Sequence, residues 1–434
     1  MMKELKGPKG TRDFPPGQME VRKQVIKIIE EVIEKANFKR WEGPAIEHFE
    51  TLTKKSGPEI ENEIYTFKDK GGRKIGLRFD LTTQLSRIIA AHPELKKPIK
   101  AYSYGKVWRY ENPQQGRYRE FMQMDLDIFG SKSVLCEVEL LSIVNQTLTK
   151  FGLSEFKVIL NNRKILQGIL EQFGLTNEQI IKVIRILDKS NKINESGIQK
   201  ELLKNGFDKE LLKKIKAVLP FGEKDNLNKL ELLNKRTKSE LAKKGIQELK
   251  QILEFASELD FYDKISIDFT LARGFDYYTG PIFEIRLNNF PEIGSINGGG
   301  RYDSLVELLS GIRTPAVGIS FGIERIIDII DKNPELKKLL LTKENKVLIC
   351  YLNEEQIKTC FKVVNKLRKE GIVCDIDLMK RNLKKQLKLA NEQQFSKVIF
   401  IEEGNLISLK DLKTGIQTKL TIEEALKKLK EESK

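Results

Sequence analysis

Between residues 99 and 130, two runs of alternating polar and apolar residues flank Asn112, Pro113 and Gly116. Successive strand side chains point to opposite faces, so a period of two on both sides of turn formers predicts a long antiparallel hairpin. The same parity decides which side chains lie together. In the second strand Met122, Met124, Leu126 and Ile128 share one face, and Phe121, Gln123, Asp125 and Asp127 share the other. In the first strand Arg109 and Glu111 fall on one face. One surface of the hairpin is therefore core, while the other collects a cation, carboxylates, an amide and an aromatic ring. Taken alone, such a polar face is more often a solvated one.

A hairpin of this length needs a sheet to join and helices to cover it. Residues 19–36 carry Met19, Val25, Ile28, Ile29, Val32 and Ile33 at helical spacing and predict an amphipathic helix ending before Asn37. Strands are expected again at 265–269 and 282–287, with a closing strand and helix over 316–330. Between these blocks, residues 163–250 turn to helical periodicity, and Thr176 with Gln179 form a capping-box pattern ahead of Ile180, Ile184 and Leu187. The reading is an α+β body with a mixed, mainly antiparallel sheet, interrupted by a helical insertion. After a lysine-rich stretch at 331–346, strand, helix, strand, helix and strand alternate, with strands at 347–351, 372–376 and 397–401. That alternation predicts a separate C-terminal α/β domain, whose last helix opens on the capping pair Thr421 and Glu424. A chain of 434 residues has room for two or three domains of about 150 residues each.

The net charge of +15 is unevenly spread. Residues 163–250 hold 20 Lys/Arg against 12 Asp/Glu, and residues 343–434 hold 20 against 14, so the remainder is almost neutral. A neutral body with two basic segments suits a long polyanion gripped away from the chemistry, although lysine-rich solvated helices give the same excess.

Few residue types are on hand for covalent or metal chemistry. Cys136, Cys350, Cys360 and Cys374 are far apart, and His48 and His92 are the only histidines. Zinc is not expected, no metal site is predicted, and a histidine-based triad has little to draw on. The opening MMKELKGPKGTRDFPPG lacks an apolar signal core, and no run of about 18 apolar residues occurs, so a cytoplasmic protein without a membrane segment is expected. Arginines are better placed. RFDLTTQ at 78–84, LARGFDYYTGPIFE at 271–284 and SFGIERI at 320–326 each set an arginine among acceptors, phenols or a helix start. Arginine's planar fork suits phosphate oxygens, so several converging would suit a nucleoside triphosphate. There is no Walker glycine loop, and GGGRYD at 298–303 reads as a close backbone approach or a turn.

Together FDLT at 79–82, VWRYENPQQGRYREFMQMDLDIFG at 107–130, LARGFDYYTGPIFE, GGGRYD and AVGISFGIERI at 316–326 resemble the histidyl-tRNA synthetases. GTRDFPP at 10–16 and the C-terminal α/β pattern extend the resemblance over nearly the whole chain. It implies a class II catalytic domain in two parts, residues 1–162 and 251–335. The helical insertion at 163–250 would lie near the RNA acceptor stem, and an anticodon-binding domain would occupy 344–434. A homodimer acting on histidine, ATP with Mg²⁺ and tRNA(His) is implied.

Carried over residue by residue, Arg109 would hold the ATP α-phosphate, Glu111 the adenine amino group and Phe121 the adenine ring. Arg117 and Arg325 would hold the outer phosphates. Asp80, Thr82 and Gln123 would bind the α-ammonium of histidine, while Asp127, Tyr277 and Tyr278 would read its imidazole. Arg273 would meet the α-phosphate beside the histidine carboxylate, making it and Arg109 the catalytic pair. Two positions depart from the family pattern: Asn112 stands where many bacterial members have arginine, and Asp127 is shorter than the glutamate of others. The alternative is a synthetase-like regulatory subunit of ATP phosphoribosyltransferase, which keeps the catalytic fold but lacks the anticodon-binding domain. The basic residues 344–434 and the retained phosphate arginines weigh against it.

Overall fold

The computed structural model describes residues 5–54, 58–114, 116–188, 194–272, 277–341, 345–402 and 406–432. The chain divides into two compact units, 1–341 and 342–434.

The first unit is built on an eight-stranded sheet. Its spatial order is Lys39–Arg40, Ile99–Trp108, Glu120–Phe129, Ala316–Phe321, Ser295–Arg301, Pro281–Leu287, Phe156–Asn162 and Ile265–Ile267. Only the two outermost pairings are parallel, so the expected mixed, mainly antiparallel sheet is what forms. The hairpin pairs Ile99 with Phe129 through to Trp108 with Glu120. Its first strand ends at Trp108, so Arg109 and Glu111 belong to the connecting turn rather than to a strand face, as parity alone had placed them.

Each face of the sheet has its own cover. On one, Met124, Leu126 and Ile128 join Phe283, Ile285, Ile319 and Phe321 in the main core. The helix Pro16–Lys35 packs there through Val21, Val25, Ile29, Val32 and Ile33; Pro16 suits its first turn, and it stops before Asn37, whose φ is +63°. The helices Leu135–Lys150 and Ile323–Lys332 complete this layer. The opposite face carries a smaller core in which Leu85 and Ile89 of the helix Thr82–Ala90 and Leu305 of the helix Leu305–Ser310 meet Tyr277, Tyr278, Ile282 and Tyr302. The rest of that face is open to form a site.

The insertion is helical as expected, with described helices from Arg163–Gln172 to Glu240–Ala256. Its apolar stripes merge with the main core instead of closing around one of their own. Both bonds of the Thr176–Gln179 capping box are made. The three glycines 298–300 lie inside the strand Ser295–Arg301, not in a turn. A Cβ on Gly299 would stand 2.0 Å from the Gly318 carbonyl oxygen of the next strand, so the run serves close backbone approach. A three-stranded sheet of Ile46–His48, Lys74–Leu77 and Thr66–Lys68 was not foreseen.

In the second unit Cys374–Ile376, Val347–Cys350 and Lys397–Ile401 run parallel. Leu406–Asp411 and Gln417–Thr421 extend the sheet antiparallel. It has its own core around Val347, Ile349, Val363 and Ile399, and the Thr421–Glu424 capping box starts its last helix, Ile422–Glu431. All four cysteines are buried free thiols. Among the described residues no helix is long and apolar enough to cross a membrane.

Candidate active site

The open face of the large sheet holds a cavity of about 300 Å³. Asp80, Thr82, Arg109, Glu111, Arg117, Phe121, Gln123, Tyr277, Tyr278 and Arg325, drawn from sequence segments up to 245 residues apart, all line it. Arg273 lies outside the described residues.

One end of the cavity is acidic. Asp80, just ahead of the helix Thr82–Ala90, accepts from the Thr83 amide at 3.1 Å and the Thr83 hydroxyl at 3.1 Å. Burial, reinforced by the charge of Asp125, pushes its carboxyl up to about 6. Asp125 in turn accepts from Gln123 Nε2 at 2.8 and 2.9 Å and from the Thr82 hydroxyl at 3.1 Å. Burial raises its carboxyl as well. Strand parity had put Asp125 on this face, but nothing in the local sequence marked it as the hub that orients Gln123 and Thr82.

Asp127 departs from expectation. It is fully buried and does not line the cavity. One carboxyl oxygen accepts from the Tyr302 hydroxyl, and the other is buried without a partner. Its cross-strand neighbour is Gly318, where a Cβ would fall 1.9 Å from Asp127 Oδ1. Burial, with the charges of Asp125 and Asp80 adding to it, lifts the carboxyl well above the usual range, which favours its neutral form. Tyr302 is the group that reaches the wall. Its ring lies 5.7 Å from that of Tyr277, which lies 4.9 Å from Tyr278, so three phenols share this end. Tyr302 was missed because it meets Asp127 across 175 residues of sequence.

The other end is cationic. Arg109 Nε donates to the Phe79 carbonyl at 2.9 Å, Nη2 reaches Gln123 Oε1 at 3.3 Å, and the guanidinium lies 5.2 Å from the Phe121 ring centre. Arg109 thus links the two ends through Gln123. Arg117 Nη1 is 3.3 Å from Glu111 Oε2 in the turn. Arg325, in the first turn of the helix Ile323–Lys332, donates to the Ser295 carbonyl. Burial, then the neighbouring positive charge of Arg117, pulls Arg325 below the ordinary arginine value. An arginine remains charged even so, and a polyanion between the two would relieve their repulsion.

Adjacent Glu324 has a different task. It bridges Arg22 at 2.6 and 2.8 Å, Arg12, and the Met122 amide at 3.0 Å. Burial alone would push its carboxyl up, but the Arg22 bonds hold it below the usual range. Arg301 of GGGRYD is likewise structural, with two 2.7 Å bonds to the buried Glu137.

A family model described as histidyl-tRNA synthetase matches residues 10–326, and one described as an anticodon binding domain matches residues 346–432. The histidine–tRNA ligase of Methanocaldococcus jannaschii is 37% identical over 427 residues, covering 96% of this chain and 97% of the relative. That of Pyrococcus furiosus is 34% identical over 428 residues, covering 97% and 98%. A crystal structure of histidyl-tRNA synthetase from a Nostoc species superimposes with a TM-score of 0.82 at 29% identity, covering 99% of this chain and all of that one. Agreement this extensive, over a sheet that brings the expected residues to one cavity, settles the family: the chain is a member of the histidyl-tRNA synthetases.

Proposed function

We propose that this protein activates histidine with ATP and transfers the histidyl group to tRNA(His). The observation that carries the reading is the polarity of this cavity, with buried carboxyls and phenols at one end, arginines at the other, and Arg109 and Gln123 joining them. An amino acid that is cationic at its α-nitrogen fits the first end and a triphosphate the second.

In the first step a carboxylate oxygen of histidine attacks the α-phosphorus of ATP. The P–O bond to the β-phosphate breaks, leaving histidyl-adenylate and pyrophosphate. Two anions must approach, so the gain comes from fixed positive groups where charge gathers. Arg109 and Arg273 serve the α-phosphate, and Arg117 and Arg325 the outer ones. Phe121 stacks on adenine, and Glu111 accepts from its amino group. ATP would bring Mg²⁺ on its phosphates, and Glu284 in the cavity lining would offer an oxygen donor of the type suited to a hard cation. Asp80, Thr82 and Gln123 receive the α-ammonium. Tyr277, Tyr278 and Tyr302 surround the imidazole, with Asp127 acting through Tyr302. In the second step a terminal ribose hydroxyl of the RNA attacks the acyl carbon and AMP leaves.

The basic insertion and the second unit grip the RNA, the protein works as a homodimer, and the cytoplasm is its place. The regulatory-subunit alternative is not favoured, because the relatives are named as ligases and the anticodon-binding match is present. ATP–pyrophosphate exchange across the standard amino acids tests the reading. Histidine alone should support exchange, and Arg273→Ala should lower it by about 10² to 10³. Exchange driven by another amino acid, or none from folded protein, overturns the proposal.

A further inference from the structure

The turn that carries Glu111 and Arg117 extends beyond the hairpin's strands, with a small bridge between Gln114 and Arg117 of its own. Its outer support comes from a segment far away in sequence. The Gly10 carbonyl accepts from the Arg119 amide at 2.9 Å, and the Arg12 guanidinium carbon stands 3.4 Å from the centre of the Tyr118 ring. The same guanidinium pairs with Glu324 and lies 3.8 Å from Asp328. Its Nε is buried and makes no hydrogen bond. Tyr118 is adjacent to Arg117, and Glu324 is adjacent to Arg325.

We infer that Arg12 is a positioning residue that sets Arg117 and Arg325 at their working separation, by stacking on Tyr118 and pairing with Glu324. Two like charges facing one cavity repel, and a turn beyond the end of a hairpin yields readily to such a push. Arg12 opposes that push from behind. Its flat face bears on the turn, and its N–H groups fasten to the carboxylate that is itself held by Arg22 and the Met122 amide. Arginine suits both tasks at once, because stacking uses the face of the guanidinium and ion pairing uses its edge.

The inference rests on the reading of Arg117 and Arg325 as phosphate-holding residues. It is tested by exchange kinetics on the full-length protein, with thermal unfolding of each variant measured alongside. Arg12→Ala should raise the KM for ATP by about tenfold or more and shift that for histidine less than about twofold, since displacement of phosphate-positioning groups is costly. Arg12→Lys keeps the charge beside Glu324 but not the flat face, and should fall between. Tyr118→Ala should reproduce the Arg12→Ala effect, and the double variant should be no worse than either single one, as for residues acting through one contact. An unchanged ATP KM, parallel shifts for both substrates, or additive effects of the two substitutions would each overturn the inference. If the ligase reading itself fails, the unaltered protein shows no histidine-dependent exchange, an outcome distinct from these.

Discussion

In the proposed role Asp80 would meet an α-ammonium away from water, yet its burial favours the neutral form. With its carboxyl raised to about 6, Asp80 is largely ionised at neutral pH and takes up a proton as pH falls through that value, which removes the charge that would pair with the ammonium. The folded pKa lies above the ordinary carboxylate value, so the proton is bound more tightly in the folded protein, and stability contributed by the neutral form is lost as pH rises through about 6. Histidine affinity should run the other way, falling as pH drops through that region by more than the ligand's own titration explains. Binding isotherms from pH 5 to 8 should show this component in the unaltered protein and lack it in Asp80→Asn; identical profiles would remove Asp80 from the ammonium site. Tyr302→Phe deletes the hydroxyl that holds Asp127 and should raise the histidine KM by about tenfold while sparing that for ATP, because a buried acceptor is left unpaired. Equal effects on both substrates would place Tyr302 in general packing instead. Resemblance pointed to Asp80 and Arg109, and strand parity with resemblance to Gln123, as residues that line one cavity. It could not show that Asp127 lies behind Tyr302, because a side chain's depth depends on strands paired from far apart.

At the scale of elements, the hairpin was readable because one face is core and a slip of one residue would reverse it. Its first strand stops short of Arg109, and that freedom lets the arginine turn back to Phe79 and Gln123. The strands Leu406–Asp411 and Gln417–Thr421 were not foreseen: Lys410, Asp411, Lys413 and Lys419 break the polar–apolar rhythm, and the outer strand buries little. Gly299 offers a direct test of why glycines fill a sheet interior. Gly299→Ala would set a methyl against a backbone oxygen, which cannot swing aside as a side-chain end can. Urea unfolding should show a loss of about 3 kcal/mol or more; a midpoint shift within error would mean that the two strands can part without cost.

For the whole molecule, the decisive observation is the division at residue 341. A chain ending at Leu341 retains the complete cavity, so it should keep histidine-dependent exchange near the full-length rate while aminoacylation of RNA falls by about tenfold or more at moderate salt. Charging at the full rate by this shorter protein would show that the C-terminal unit is no RNA grip. The uneven charge made the two appendages visible in the sequence, but not that the insertion shares the body's core while the C-terminal unit has a separate one. That separation has a calorimetric consequence. Cooperative melting extends only as far as a shared core, so heating should give two endotherms, and one melting temperature would not describe the protein. The cavity is lined entirely by residues of the first unit, so histidine and ATP bound there should raise the temperature of the larger endotherm, and a smaller endotherm moved as far would overturn that independence.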